Sequence, residues 1–137
     1  MNGLIADTSV AIKWFMREQQ SEIAEAILES GLEIHAPEFM WIEAANGLWK
    51  QWRKLLLPQD DVAVSVAKLR GLIDHWHADA DLLADASEMS VELAHPVYDC
   101  IFLVLARKLK MPLVTADKRL LAIAPKGRVV ALEDWRP

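Results

Sequence analysis

Two short apolar runs, each stopped by an acid and followed by helix-patterned sequence, constrain this chain most. Leu4-Ile5-Ala6 ends at Asp7, and Leu113-Val114-Thr115 runs through Ala116 into Asp117. Each reads as a short strand. Between and after them, periodicity and caps predict helices over about Ser9 to Met16 and Ser21 to Glu29, the second with Gly31 as its C-cap. A strand over Leu32 to Ala36 precedes Pro37. Further helices are predicted over Phe39 to Leu55, from Pro58 to Trp76, over Leu82 to Leu93, over Tyr98 to Lys110 before Pro112, and from Asp117 through about Ile123. Arg128 to Leu132 reads as a last strand, with Leu132 and Trp135 packing back on the body. Short strands alternating with helices imply an α/β sandwich around a mostly parallel sheet.

The chain has 137 residues, of which 53% are apolar. That suits a single domain over 1–137 with a core needing no disulfide or structural metal. The lone Cys100 sits in the longest apolar run, Cys100 to Ala106, and reads as a core residue compatible with a reducing cytoplasm. That run is far short of the roughly 20 residues of a membrane span, so no membrane association is expected. The start lacks a basic n-region and Asp7 interrupts its apolar stretch, so it does not read as a secretory signal. Fifteen basic against twenty acidic residues, net −5, exclude a globally basic nucleic-acid coat but leave room for a local basic patch.

Asp7 and Asp117 stand where open parallel sheets bind ligands, just outside the carboxyl ends of strands. Both also suit helix N-caps. Asp99 falls in the first turn of an apolar helix and has Phe102, not Glu or Gln, three residues on, so no capping box explains it. On the Phe39 to Leu55 helix, Glu43, Asn46, Gly47 and Lys50 form one polar stripe opposite Trp41, Ala45, Leu48, Trp49 and Trp52. Such a stripe is also what a solvated face looks like. A mid-helix Gly costs about 1 kcal/mol relative to Ala, so Gly47 points to a close approach there. Converging carboxylates raise one another's pKa and coexist ionised around a cation; an oxygen-rich set suits Mg²⁺ or Mn²⁺. Such ions activate water and stabilise the leaving oxygen of a phosphodiester. The hydroxyls of Thr8, Ser9 and Thr115 lie where they can orient a ligand.

These segments resemble a known family. Ile5-Ala6-Asp7-Thr8-Ser9-Val10-Ala11-Ile12-Lys13-Trp14-Phe15 resembles the first strand and helix of PIN-domain proteins, the VapC toxins in particular. Pro37-Glu38-Phe39-Met40-Trp41-Ile42-Glu43-Ala44-Ala45-Asn46 is similar to the segment carrying the family's second acid. Val97-Tyr98-Asp99-Cys100 resembles its third, with Cys where Ala is commonest, and Thr115-Ala116-Asp117-Lys118-Arg119-Leu120 its fourth. The resemblance spans essentially the whole chain. It implies a three-layer α/β/α sandwich with a short, mostly parallel central sheet, and a Mg²⁺- or Mn²⁺-dependent endoribonuclease. It assigns Asp7, Glu43, Asp99 and Asp117 as catalytic, metal-binding acids, with Ser9, Asn46 and Thr115 in support. It further implies a structured RNA substrate such as tRNA, a VapB-like antitoxin that holds the enzyme inactive, and a homodimer. Two-metal chemistry would leave 5′-phosphate and 3′-hydroxyl ends.

With a net negative chain, local cations must carry RNA. Lys13, Lys50, Lys118 and Arg119 are the candidates, with Arg17 beside them. Trp49-Lys50-Gln51-Trp52-Arg53-Lys54 has the composition of a base-stacking platform, although its tryptophans read better as core or dimer contacts. His75 and His77 invite a zinc reading, but at i, i+2 they would face different sides of a helix and no Cys accompanies them, so they read as surface or loop residues. His35 and His95 are isolated and carry no assignment. Two other readings remain: a PIN-like interaction module that no longer cleaves, and an aspartyl-phosphate phosphatase or receiver domain. The second is disfavoured by Ser9 where a phosphatase wants a second Asp, and by the missing acidic pair before Asp7.

Overall fold

The computed structural model describes residues 2–124 and 127–137. Its strands are β1 (Gly3–Ala6), β2 (Glu33–Pro37), β3 (His75–His77), β4 (Leu113–Thr115) and β5 (Val129–Ala131). They form one fully parallel sheet in the order β3-β2-β1-β4-β5. The helices are α1 (Thr8–Lys13), α2 (Ser21–Glu29), α3 (Phe39–Arg53), α4 (Gln59–Leu72), α5 (Leu83–Leu93), α6 (Val97–Leu109) and α7 (Lys118–Ile123). The chain steps outward from β1 to β3, returns to β4 beside β1, and ends on β5. Right-handed crossovers then set α1–α4 over one face and α5–α7 over the other. This is the expected α/β/α sandwich, with α1 against α2 and α3, and α5 against α6.

The core lies where β1 and β4 meet α6. Every residue of β1 and β4 is buried, as is the whole run Cys100 to Ala106 on α6. The Cys100 side chain is fully enclosed, and burial pushes its thiol pKa up. Leu132 and Trp135 are buried against this core. Among the described residues no single helix is long and apolar enough to cross a membrane.

Several predicted ends shift. α1 stops at Lys13 rather than Met16 because the next turn is tied to α2: the Trp14 indole donates to the Ala24 carbonyl at 2.8 Å, and the Ser21 hydroxyl to Met16 O at 2.7 Å. Gly31 follows the α2 C-cap at φ +78°, the left-handed conformation its sequence position implied.

The largest departure concerns residues 73–77, expected to continue a helix to Trp76. α4 ends at Leu72 and Ile73 turns extended. The Asp74 carboxylate then accepts the Ile34 N–H at 2.8 Å, while the Asp74 N–H donates to Ile34 O at 2.9 Å. These two bonds start a ladder with β2, and residues 75–77 become an edge strand. His75 and His77 therefore share one side of β3 and meet His35 of β2, instead of dividing between helix faces.

Side-chain cross-links hold α3, the helix that carries Glu43. Arg70 of α4 makes a bidentate pair with Glu38 at 2.7 and 2.9 Å, its guanidinium lying over Trp41 and Trp76. After β3, Asp79 accepts the Phe39 N–H at 3.0 Å, capping α3 from a distant part of the chain.

Candidate active site

The strand order reverses between β1 and β4, and a doubly wound sheet leaves its ligand crevice outside that point. The register pairs Ala6 with Val114, so Asp7 and Thr115 emerge side by side. Asp7 Oδ1 accepts the Val10 N–H at 3.2 Å, capping α1, and the Ser9 hydroxyl at 2.5 Å. Oδ2 accepts the Thr115 hydroxyl. Asp7 thus caps α1 and also lines the crevice. Only 6% of the residue is exposed, and this burial pushes its pKa up to about 6. The bonds from Ser9, Thr115 and Val10 pull the other way, and the nearby Asp117 charge adds to the rise.

The same hydroxyls organise the loop after β4. Thr115 Oγ1 accepts the Asp117 N–H at 3.0 Å, and Ser9 Oγ accepts the Ala116 N–H at 2.9 Å. Asp117 in turn caps α7, accepting the Arg119 N–H at 2.9 Å.

Glu43 reaches the crevice because α1 lies close on α3. A Cβ on Gly47 would stand 2.9 Å from Ile12 Cδ1, so Ile12 is the close approach that the mid-helix glycine implied. One turn earlier on each helix, the Thr8 hydroxyl donates to Glu43 Oε1. Burial raises the Glu43 pKa; the Thr8 bond opposes this, the charges of Asp99 and Asp117 add to it, and Lys50 lowers it.

Asp99 enters from the first turn of α6, where Oδ2 meets His95 Nε2 at 2.6 Å. The Ser90 hydroxyl donates to His95 O at 2.6 Å and fastens this turn to α5. Asp7, Glu43, Asp99 and Asp117 all line one open cleft of ≈ 550 Å³, together with Ser9, Thr8, Lys50, His95, Tyr98 and Arg119. Thr115, fully buried, acts behind Asp7.

Asn46 lies on the exposed side of α3, outside the cleft lining. Lys13 is engaged with Glu18 at 3.1 Å and Gln19 O at 2.9 Å. Lys118 lies beside Gln20 and Glu133, and Arg17 beside Glu18 and Glu22; neither lines the cleft. Trp49 and Trp52 are not core: they are 43% and 38% exposed, and Arg53 sits over the Trp49 ring at 5.3 Å. His95, unassigned from the sequence, belongs to the cleft. Its only sequence signal is i, i+4 spacing to Asp99, which carries no direction without the helix start that places both. Tyr98 lines the cleft with its ring stacked on Phe39 at 5.3 Å.

The converging donors are carboxylate and hydroxyl oxygens, and two of the four acids are held above their ordinary pKa by burial. A hard divalent cation would offset the cost of holding these acids ionised there, so the donor set fits Mg²⁺ or Mn²⁺. The PIN domain profile matches residues 4–126. The chain belongs to the PIN-domain family. This PIN domain is 30% identical over 119 residues to Ribonuclease VapC3 of Pyrobaculum aerophilum, covering 85% of this chain and 91% of that protein. Its fold is similar to PAE2754 of the same organism, with TM-score 0.76 and 21% identity over 96% of this chain and 84% of the other. It is also similar to VapC20 of Mycobacterium tuberculosis, a sarcin-ricin loop cleaving toxin, with TM-score 0.68 and 18% identity over 88% and 94% of the two chains. A toxin-antitoxin complex from Klebsiella pneumoniae has TM-score 0.67 and 17% identity over 95% and 98%.

Proposed function

We propose that this PIN domain, one unit over 1–137, is a metal-dependent endoribonuclease of VapC type. The observation that carries the reading is the convergence of Asp7, Glu43, Asp99 and Asp117, from four separate segments, on one cleft that also holds Lys50 and Arg119. The relative named a ribonuclease and the neighbour named a sarcin-ricin loop cleaving toxin support it. Asp7 and Asp99 are the principal metal ligands, with Glu43 and Asp117 completing the acidic set. Mg²⁺ or Mn²⁺ held by these acids would supply Lewis acidity at a phosphodiester and charge neutralisation at its leaving oxygen.

The protein's own residues do the rest. Ser9 and Thr115 fix both oxygens of Asp7, Thr8 fixes Glu43, and His95 fixes Asp99. Lys50 and Arg119, at the cleft rim, hold RNA phosphate. The substrate is a structured RNA such as tRNA, and the chain works in the cytoplasm as a homodimer held inactive by a VapB-like antitoxin. The toxin-antitoxin neighbour supports the antitoxin. The exposed end of α3, with Trp49, Trp52 and the following Leu55 and Leu56, offers apolar surface for protein contacts.

The test is incubation with total tRNA in Mg²⁺ or Mn²⁺, with EDTA and Asp7→Asn as controls. Discrete metal-dependent cuts with 5′-phosphate and 3′-hydroxyl ends are expected. A 2′,3′-cyclic phosphate would sink the mechanism, and no cleavage by folded, antitoxin-free protein on any RNA would favour a non-cleaving interaction module.

A further inference from the structure

A second cluster of ligating side chains lies toward the other end of the sheet, away from the acids. Glu33 opens β2 and His75 opens β3, whereas the acids follow the carboxyl ends of β1 and β4. Glu33 and His35 alternate onto one side of β2, and the register sets His35 directly beside His75. His75 Nε2 lies 3.1 Å from Glu33 Oε2, and His35 Nε2 lies 3.7 Å from the same oxygen. All three ligand atoms fall within 4.8 Å of one another.

His35 is the group that asks for a ligand. The residue is 7% exposed, and its Nε2 is buried with no hydrogen-bond partner. Its other ring nitrogen, Nδ1, is engaged with His77 Nε2 at 2.8 Å. With Nδ1 donating to His77, Nε2 presents a free lone pair toward Glu33 and His75. A metal-bound imidazole has this arrangement, one nitrogen on the ion and the other held by a neighbour that sets tautomer and ring direction.

We propose that Glu33, His35 and His75 form a site for one divalent transition-metal ion, zinc by donor type, that ties the edge strand β3 to β2. Two imidazoles and a carboxylate are a borderline donor set suited to Zn²⁺, unlike the all-oxygen acids of the cleft. Ligand atoms of a tetrahedral zinc with bonds near 2.0–2.1 Å stand about 3.3 Å apart, and the 3.1 and 3.7 Å separations here bracket that value. His35 is the fixed ligand. His75 and Glu33 have side chains 48% and 60% exposed, so the His75 ring, now stacked on His35 at 4.5 Å, is free to turn its Nε2 toward the ion.

The test uses the full, metal-stripped chain titrated with Zn²⁺ alone, in Mg²⁺ enough to fill the acidic cleft. Binding is followed by calorimetry and by the imidazole nitrogen and ring-proton resonances. One equivalent is expected to bind, shifting His35 and His75 and leaving His95 in place, with a rise in Tm. Both His75→Ala and Glu33→Gln, changes at exposed side chains that leave the core intact, should weaken binding more than about tenfold. The inference is overturned if Zn²⁺ moves only His95 and the cleft, if no equivalent binds, or if both variants keep the parent affinity. Ribonuclease activity enters none of these readouts, so this site and the proposed function stand or fall separately.

Discussion

Gly47 of α3 and Ile12 of α1 touch so closely that a Cβ on Gly47 would lie 2.9 Å from Ile12 Cδ1. One turn away, the same helix pair brings Thr8 onto Glu43. The contact sets the depth of α3 against the crevice and hence where Glu43 points. Gly47→Ala meets only the tip of one side chain, and its gain in helix propensity offsets the displacement, so stability should change by less than about 1 kcal/mol. Gly47→Leu overfills the contact, and should cost about 1–3 kcal/mol and lower RNA cleavage. Urea unfolding and a cleavage assay on both variants separate the two outcomes.

Asp7 makes the protein's stability depend on pH in an unusual direction for a carboxylate. Its pKa in the folded chain, about 6, lies above the ordinary 3.8. Protonated Asp7 therefore favours the fold fully below pH 3.8, and that contribution is lost as pH rises through 6. In EDTA, Asp7→Asn should match wild type near pH 4 and exceed it by up to about 3 kcal/mol at pH 8, while cleavage is abolished. Denaturant titrations of both proteins across this range measure the difference. A variant no more stable than wild type at pH 8 contradicts the burial argument.

Thr115→Val keeps the shape of a fully buried side chain and removes its hydroxyl. Asp7 Oδ2 loses a donor and the Asp117 N–H an acceptor. The expected cost is about 1–3 kcal/mol, with a fall in cleavage rate because two acids are loosened together. Thr115→Ser should restore most of both.

His95 holds Asp99 at 2.6 Å, with its own side chain only 14% exposed. His95→Ala, which empties a largely buried position, should cost about 1–3 kcal/mol of stability and reduce cleavage about 10–100-fold. The Mg²⁺ concentration for half-maximal rate should rise with it. An unchanged metal requirement would show that His95 does not position the acid.

Lys50 and Arg119 are the cleft cations of a chain carrying net −5. RNA binding by catalytically inactive protein should weaken steeply with salt. Removing either side chain should flatten the log–log salt slope by about 1, whereas Lys13→Ala should leave the slope unchanged, since Lys13 is committed to Glu18 and Gln19. Filter binding across a salt series reads this directly.

The sequence marked the four acids as candidates, with a cap or solvated-face reading beside several of them, and the family resemblance joined them into one set. Asp7 and Asp117 end apolar strands, Asp99 lacks a capping role, and Glu43 shares a helical stripe with a costly glycine. The cations were less legible: four were candidates, and Lys50 and Arg119 reach the cleft. Which way a long side chain turns depends on neighbours such as Glu18 that linear spacing does not locate.

Residues 73–77 show the boundary most plainly. Alone, their pattern continues the helix before them; beside Ile34 they become a strand, because hydrogen bonds from a segment forty residues earlier outweigh weak local preference. That pairing also brings His35 beside His75 and His77, to which no spacing in the chain relates it. The sequence by itself determined which residues can carry charge, cap a helix or fill a core, since those properties belong to single side chains and short repeats. Only the tertiary structure decided which of them meet, how deeply Asp7 is buried and where its pKa lies, because desolvation and contact come from partners distant along the chain.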